Sequence, residues 1–269
     1  MQILHMSGAG NDFMVLDARD KTLDFEALAI NLCRKTGADG FMAVDTSDTA
    51  DFRLHFYNSD GSRGEMCGNG ARCICKFAYD LGIAGATMTV QTDAGLVPGW
   101  RLDQNLSRVQ LNNPGVLDLH RRPDAAYVEL GDPGVPHSVT PVQALDYTQK
   151  EALRPLALQL RHAPEFPKGV NVNLYCRQSS RRVRVLTFER GVEDYTLACG
   201  TGSGSVAVTL WAQGQLPDGI LEVENPGGVL QVTVSGTDGV VEQLLLEGPA
   251  EVLQEYELDE ETFTIRAIT

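Results

Sequence analysis

The sequence predicts a duplicated α/β protein: two similar halves, each a mixture of short strands and a central helical stretch. Three observations carry this reading. Cys67 and Cys199 each stand before a glycine-rich turn, in Met66-Cys67-Gly68-Asn69-Gly70-Ala71-Arg72 and Ala198-Cys199-Gly200-Thr201-Gly202-Ser203-Gly204. The offset of 132 residues between them also pairs Phe56 with Phe188, Asn58 with Arg190, Gly68 with Gly200 and Gly70 with Gly202. An alternating strand pattern leads into each loop, and a helical pattern leaves it.

The elements follow in order. Ile3 to Met6 reads as a short strand, Ser7-Gly8-Ala9-Gly10-Asn11-Asp12 as a tight turn, and Phe13 to Leu16 as the returning strand of a hairpin. Asp24 is placed to cap a helix from Phe25 to about Lys35, with Leu28, Leu32 and Cys33 on one face and Gly37 as its stop. Phe52, Leu54 and Phe56 share one face of a strand, after which Asn58-Ser59-Asp60-Gly61 turns the chain toward the first cysteine loop. Ile74, Phe77, Ala78 and Leu81 mark a helix over 71–81 closed by Gly82, in which Cys73 and Cys75 serve as small packing residues.

Strands are expected at Thr87 to Thr92 and Arg108 to Leu111, and Asn112-Asn113-Pro114-Gly115 is the candidate junction between halves. Thr148 with Glu151 has the spacing of a capping box for a helix through Leu153, Leu156 and Leu160, with Pro155 imposing a kink or a restart. Val170 to Tyr175 and Val183 to Phe188 read as strands, the latter feeding the second cysteine loop. Val206, Leu210 and Trp211 carry the second helix, ended by Gly214. Val229 to Val234 and Val240 to Leu246 add strands of a twisted sheet, and Thr262 to Ile268 alternates once more, in position to rejoin the first half.

Composition bounds the function. A chain of 269 residues, 43% apolar and 22% charged, describes an enzyme-sized soluble globular protein of one long or two medium domains. A formal charge of −14 repels phosphate backbones and anionic membranes, which argues against nucleic-acid and membrane partners. Met1 to Phe13 lacks a basic segment followed by an apolar run, and no apolar span matches a bilayer, so a cytoplasmic protein is expected. Six cysteines are too few for a disulfide scaffold at this length. Cys67, Cys73 and Cys75 lie close together but lack the further ligands of a zinc site, so no metal is expected. The run from Gly200 to Gly204 lacks the spacing of a nucleotide-binding loop.

Two cysteines at the starts of two helices suggest acid–base chemistry on an amino acid. Helix-terminal N–H groups and the helix dipole favour an anion and activate a thiol placed there, so each loop suits both a thiolate and a substrate carboxylate. With one sulfur on either face of an α-carbon, one thiolate removes the α-proton while the opposite thiol returns a proton, and configuration inverts. Amides at Gly68, Asn69, Gly200 and Thr201 would stabilise the charge that develops on the carboxylate, as an oxyanion hole does.

Several motifs in order then resemble the diaminopimelate epimerase family. They are Gly8-Ala9-Gly10-Asn11-Asp12-Phe13, Tyr57-Asn58-Ser59-Asp60-Gly61, Glu65-Met66-Cys67-Gly68-Asn69-Gly70-Ala71-Arg72-Cys73, Gly134-Val135-Pro136-His137, Gly169-Val170-Asn171-Val172-Asn173, Glu189-Arg190-Gly191 and Leu197 through Gly202. The resemblance covers nearly the whole chain. It implies two pseudo-symmetric domains, each a curled mixed sheet around a central helix, with the active site in the cleft between them. The expected boundaries are 1–113 with about 255–269 for the domain carrying Cys67, and 114–254 for the domain carrying Cys199.

The resemblance further implies a pyridoxal-phosphate-independent isomerase that interconverts LL- and meso-diaminopimelate in lysine and peptidoglycan precursor synthesis, without a cofactor and often as a dimer. Cys67 and Cys199 would be acid and base. His137 and Glu189 would set their protonation, with the pairing left open. Asn11, Asn58, Asn171 and Arg190 would hold the distal end of the substrate. One position departs: some members carry Asn two residues before the histidine, where this chain has Val135. A racemase of another amino acid, such as histidine, is therefore the neighbouring reading. Isomerases related to phenazine synthesis share the implied fold without the cysteine pair. From a different class, a thiol redox or binding protein would show no turnover. On local pattern alone, His137 is a loop residue and Glu189-Arg190 a solvated pair at a strand end.

Overall fold

In a computed structural model, which describes residues 1–64 and 67–268, the chain forms two units, Met1–Val109 with Glu247–Thr269, and Gln110–Leu246. Glu65 and Met66 of the first cysteine motif lie outside the described residues.

The first unit begins with a hairpin of β1 (Gln2–Gly8) and β2 (Asn11–Asp17). The expected six-residue turn tightens to Ala9-Gly10, both at positive φ (61° and 91°), the backbone that matches strand twist in a two-residue hairpin. Helix α1 (Phe25–Thr36) follows, with the Asp24 side chain accepting from the Ala27 amide and Gly37 closing it in the left-handed region. Its buried face, Leu28, Ala29, Leu32 and Cys33, packs with Met14, Leu16 and Phe41. Next come β3 (Gly40–Asp45), β4 (Phe52–Asn58) and β5 (Arg63–Gly64). Helix α2 (Gly68–Asp80), β6 (Thr87–Thr92), β7 (Gly95–Asp103) and β8 (Leu106–Leu111) complete the run.

Hydrogen bonding orders these strands β1–β2–β3–β4–β6–β7–β8, with parallel steps at β2–β3 and β4–β6 and antiparallel steps elsewhere. Helix α2 touches β1 near one end of that ladder and β7 near the other, as well as β2 and β3, so the sheet curls around it. Residues 68–78 of α2 are accordingly all buried. The helix starts at Gly68, three residues before its apolar pattern begins. Glycine is a poor helix former, and burial of the first turn overrides that weakness.

The second unit repeats the plan. β9 (Pro114–Arg122), β10 (Ala125–Gly131) and β11 (Gly134–Pro141) lead through a 3₁₀ turn over Tyr147–Leu153 into α3 (Arg154–Arg161). The expected capping box does not form. Asp146 accepts from the Thr148 amide, Glu151 turns to Arg154, and α3 restarts with Pro155 in its first turn, where a missing N–H costs nothing. β12 (Asn171–Ser179), β13 (Arg182–Glu189), β14 (Asp194–Tyr195), α4 (Gly200–Ala212), β15 (Ile220–Asn225), β16 (Gly228–Thr237) and β17 (Val240–Pro249) follow. β10–β11 is antiparallel, β11–β12 parallel, β12–β13 antiparallel, β13–β15 parallel and β15–β16 antiparallel, the same sequence of steps as β1 to β7. Both central helices have 13 residues, and their bounds differ by the motif offset.

After β17 the chain returns to the first unit, where β18 (Glu251–Leu258) pairs antiparallel with β1, and β19 (Ile265–Ala267) with β18. No helix among the described residues is long and apolar enough to cross a membrane.

Candidate active site

In the first unit, Cys67 is the half-buried cap of α2, with extended backbone (φ −125°, ψ 120°). Gly68 and Asn69 open the helix and are buried. That first turn lies hard against the end of β1. A Cβ at Gly8 would sit 2.6 Å from the Asn69 carbonyl oxygen, so only glycine allows the approach. Across the hairpin turn, the Asn69 Nδ2 donates to Asn11 Oδ1 (2.7 Å), and Asn11 Nδ2 donates to Asp39 Oδ2 (3.1 Å). The Asp12 amide shares the same Asp39 oxygen (3.1 Å). Asp39 thereby fixes which way the Asn11 amide faces. Asn58, exposed at the end of β4, donates to Ser62 Oγ (2.9 Å).

In the second unit, Cys199 caps α4 with nearly the same backbone (φ −124°, ψ 113°). It is buried, and its Sγ accepts from the Gly202 amide (3.3 Å) and lies 3.5 Å from Thr201 Oγ1. An amide directed at sulfur at a helix start is the arrangement that favours thiolate. Glu189, the last residue of β13, accepts a hydrogen bond from the same thiol. Burial pushes the Glu189 carboxyl above its usual range, against the opposing pull of Cys199 and Arg190. Of the two residues implied to tune the thiols, Glu189 is therefore the one on Cys199.

His137 is not a loop residue. It lies inside β11, fully buried, in parallel register with Asn171 on β12. Pro136 disguises that strand in the sequence, and it is tolerated because pairing with β12 begins only at His137. Burial, reinforced by the Arg190 charge, holds the imidazole pKa down to about 3, so the ring is neutral at ordinary pH. Asn173 Nδ2 donates to its Nδ1 (3.1 Å), which puts the ring proton on Nε2. Among the described residues that buried Nε2 has no hydrogen-bond partner.

Asn173 is a residue that local reasoning passed over. It also donates to the Ser138 carbonyl (3.0 Å) and accepts from Thr187 Oγ1 (2.9 Å). Its Oδ1 would lie 2.2 Å from a Cβ at Gly202, which ties the glycine of the second loop to the histidine's orientation. Two asparagines alternating within the apolar run 170–174 were the available signal.

Asn171 Oδ1 accepts from the Arg190 amide (2.8 Å), and the Arg190 guanidinium donates to the Lys168 carbonyl (3.0 Å). The Lys168 ammonium is in turn held by buried Glu129 (3.0 and 3.1 Å), which also accepts from the Tyr127 hydroxyl. Burial works against the Glu129 anion, yet the bonds from Tyr127 and Lys168 keep its carboxyl below the usual range. Gly200 and Thr201 open α4 beside Cys199.

Comparison with known proteins identifies the family. The model of the family described as Diaminopimelate epimerase matches residues 3–114 and 131–252. A diaminopimelate epimerase of Chlorobaculum tepidum is 35% identical over 91% of this chain and 96% of its own. One from Aquifex aeolicus is 36% identical over 80% and 82%. Among solved structures, a phenazine biosynthesis protein of the PhzF family from Bacillus anthracis superposes with a TM-score of 0.72 at 18% identity, covering 96% of this chain and 99% of that one. A hydroxyproline epimerase from Agrobacterium vitis gives 0.70 at 15%, covering 95% and 91%. At such identities these two establish the fold, a mixed α/β architecture. The family match and the identity to the curated relatives go further: this chain belongs to the diaminopimelate epimerase family.

Proposed function

We propose that this protein is a cofactor-independent epimerase that interconverts LL- and meso-diaminopimelate, in lysine and peptidoglycan precursor synthesis. The observation that carries the reading is the repeated helix start: Cys67 and Cys199 cap equivalent helices with matching backbone, and a carboxylate bonds the second thiol.

The proton accounting is simple. A thiolate takes the α-proton and becomes a thiol, and the C–H electron pair passes into the carbanion, delocalised onto the α-carboxylate. The other thiol then protonates the opposite face and becomes a thiolate. The reverse reaction exchanges the roles, so the next turnover starts from the opposite isomer or after proton exchange with solvent. No sulfur–carbon bond forms. Amides of Gly68, Asn69, Gly200 and Thr201 head the two helices, where N–H groups and the helix dipole favour the carboxylate most when it carries carbanion charge.

Glu189 accepts the Cys199 proton or hydrogen bond, and neutral His137 offers an Nε2–H donor rather than an imidazolium. Asn11, Asn58, Asn171 and Arg190 take the distal amino and carboxylate groups. Arg190, held from two sides, supplies the charge for a distal carboxylate. Such a site rejects shorter amino acids because its polar groups would stay unpaired. We place the protein in the cytoplasm, with a small-molecule substrate and as a homodimer.

A second reading, racemisation of another amino acid such as histidine, draws support from Val135, an apolar and partly exposed side chain on β11 where some relatives carry asparagine. The test is incubation of reduced protein in deuterated water with LL-diaminopimelate, L-histidine and L-glutamate in parallel. Deuterium uptake with meso product from diaminopimelate alone is expected, and either Cys→Ala variant should lose epimerisation. Label entering histidine instead moves the substrate, and turnover that survives both alanine variants refutes the mechanism.

A further inference from the structure

Among the described residues, the largest fully buried side chain is an arginine, Arg72, on α2. An internal guanidinium normally meets a carboxylate, because an uncompensated buried charge is strongly destabilising. Arg72 has none. Its Nη1 donates to the Gly68 carbonyl (3.2 Å), and among the described residues its Nε and Nη2 have no hydrogen-bond partner. One turn further on, buried Lys76 shows the ordinary solution, with Asp80 2.5 Å from its ammonium. Among the described residues Arg72 thus differs from Lys76 in having no carboxylate.

The bond to Gly68 folds the side chain back toward the helix start, the direction helical side chains take. There, among the described residues, the groups acting on the guanidinium are sulfurs: Cys73, Cys67 and Cys75. Burial lowers the Arg72 pKa only to about 10, so it remains a cation at neutral pH. Cys73 and Cys75, both fully buried, are pushed up to about 12 by burial and stay neutral thiols. Cys67, half-buried, is the remaining sulfur able to carry the opposite charge.

Other titratable groups on elements packed against α2 have partners of their own: Asp17 of β2 accepts from Arg19 (2.7 Å) and Asp103 of β7 from the Gln104 amide (2.6 Å). His5 of β1 bonds Asp12 of β2 (2.5 Å), Asp45 of β3 bonds His55 (3.2 Å), and Arg101 of β7 lies by Asp80 at the far end of the helix (3.6 Å).

We propose that Arg72 is the internal counter-charge of the Cys67 thiolate, a positioning residue that makes Cys67 anionic before substrate arrives and holds the first carbonyl of α2 in place. The inference rests on Cys67 being an acid–base group of the reaction. The duplication supports it, because the motif offset puts Gly204 in the place of Arg72, and a Cβ there would meet Leu111, Leu130 and Leu244 within 3.3 Å. The second helix has no cation at that position, and its cysteine has Glu189 instead.

The test is the pH dependence of alkylation of each cysteine in the reduced full-length protein, resolved by fragment-ion mass spectrometry, for wild type, Arg72→Gln and Arg72→Lys. In Arg72→Gln the Cys67 midpoint should rise by at least one pH unit, tenfold less thiolate below both midpoints, while the Cys199 midpoint holds. Arg72→Lys should recover most of the shift. The acidic limb of kcat/KM should move with the Cys67 midpoint, which a purely structural role would not produce. A folded Arg72→Gln protein with an unmoved Cys67 midpoint overturns the proposal.

Should Arg72→Gln fail to fold, the wild type still decides. A counter-charge sealed from solvent leaves the Cys67 midpoint the same at roughly 0.05 M and 1 M salt, whereas a midpoint that climbs with salt would assign the stabilisation to exposed charges and refute the idea. Alkylation reads the thiol whether or not the enzyme turns over, so failure of the epimerase reading, seen as epimerisation by Cys67→Ala, stays distinct.

Discussion

His137 makes the stability of the second unit depend on pH in a way that can be worked out beforehand. Folded, its pKa is held down to about 3, and in the unfolded chain a histidine titrates near 6.5. Between those values the unfolded state binds a proton that the folded state refuses. Stability from this group is therefore complete above about pH 6.5 and is lost as pH falls, at a limiting slope of about 1.4 kcal/mol per pH unit. From pH 7 to pH 5 the loss integrates to about 2 kcal/mol. Replacing His137 by Gln removes the term while keeping an acceptor for Asn173. Glu189 has the opposite sign: with its pKa raised in the folded state, it contributes stability at low pH that is lost as pH rises. It is present in both proteins and cancels in the comparison.

The assay is equilibrium urea unfolding at pH 7 and pH 5. A Trp100→Phe background leaves Trp211 of α4 as the single tryptophan and so the reporter of the second unit. Wild type should lose about 2 kcal/mol more than His137→Gln over that interval. Equal losses in the two proteins, within about 0.5 kcal/mol, would refute a buried neutral histidine.

Three further outcomes follow from the same contacts. Gly8→Ala forces a methyl to within 2.6 Å of the Asn69 carbonyl oxygen and must displace the first turn of α2; it should cost about 1–3 kcal/mol by thermal unfolding and lower kcat as well. Glu189→Gln keeps the fold by circular dichroism but weakens the proton path at Cys199, and α-proton exchange should fall by about 10²–10⁴-fold. Glu129→Gln loosens Lys168, and through its carbonyl Arg190; initial rates should show KM rising with kcat nearly unchanged, and the reverse pattern would mean that Arg190 does not bind the distal group.

Much of this was legible in the sequence because it depends on local rules. The Asp24 cap, the Gly37 stop and the alternation in β4 each express one short-range preference, and each appears in the structure. The duplication was readable from two glycine-rich turns because their glycines answer close contacts, as at Gly202 beside Asn173. What local pattern missed depends on tertiary company. Pro136 hid β11, and with it the burial of His137. Arg72 reads as an ordinary helix residue until the sheet is seen to curl around α2 from both ends. The supposed capping box at Thr148 failed because Asp146 competes for the same amide.

Duplication explains why both sulfurs head a helix, and divergence explains why they are not interchangeable. At the motif offset, Glu189 answers to Tyr57, Arg190 to Asn58 and Gly204 to Arg72. One sulfur thus has a cation behind it and the other a carboxylate beside it. A single thiol suffices to remove and return a proton on its own face, so loss of one cysteine should abolish inversion while leaving exchange possible for one configuration. Cys199→Ala, which retains Cys67, should wash deuterium into substrate of one configuration at the reacting carbon, and Cys67→Ala into the opposite one. The Cys199→Ala exchange should persist to lower pH, because its remaining base keeps its counter-charge. Chiral chromatography of each epimer after incubation in deuterated water separates the cases, and exchange of both configurations by one variant would show that the two thiols do not divide the faces between them.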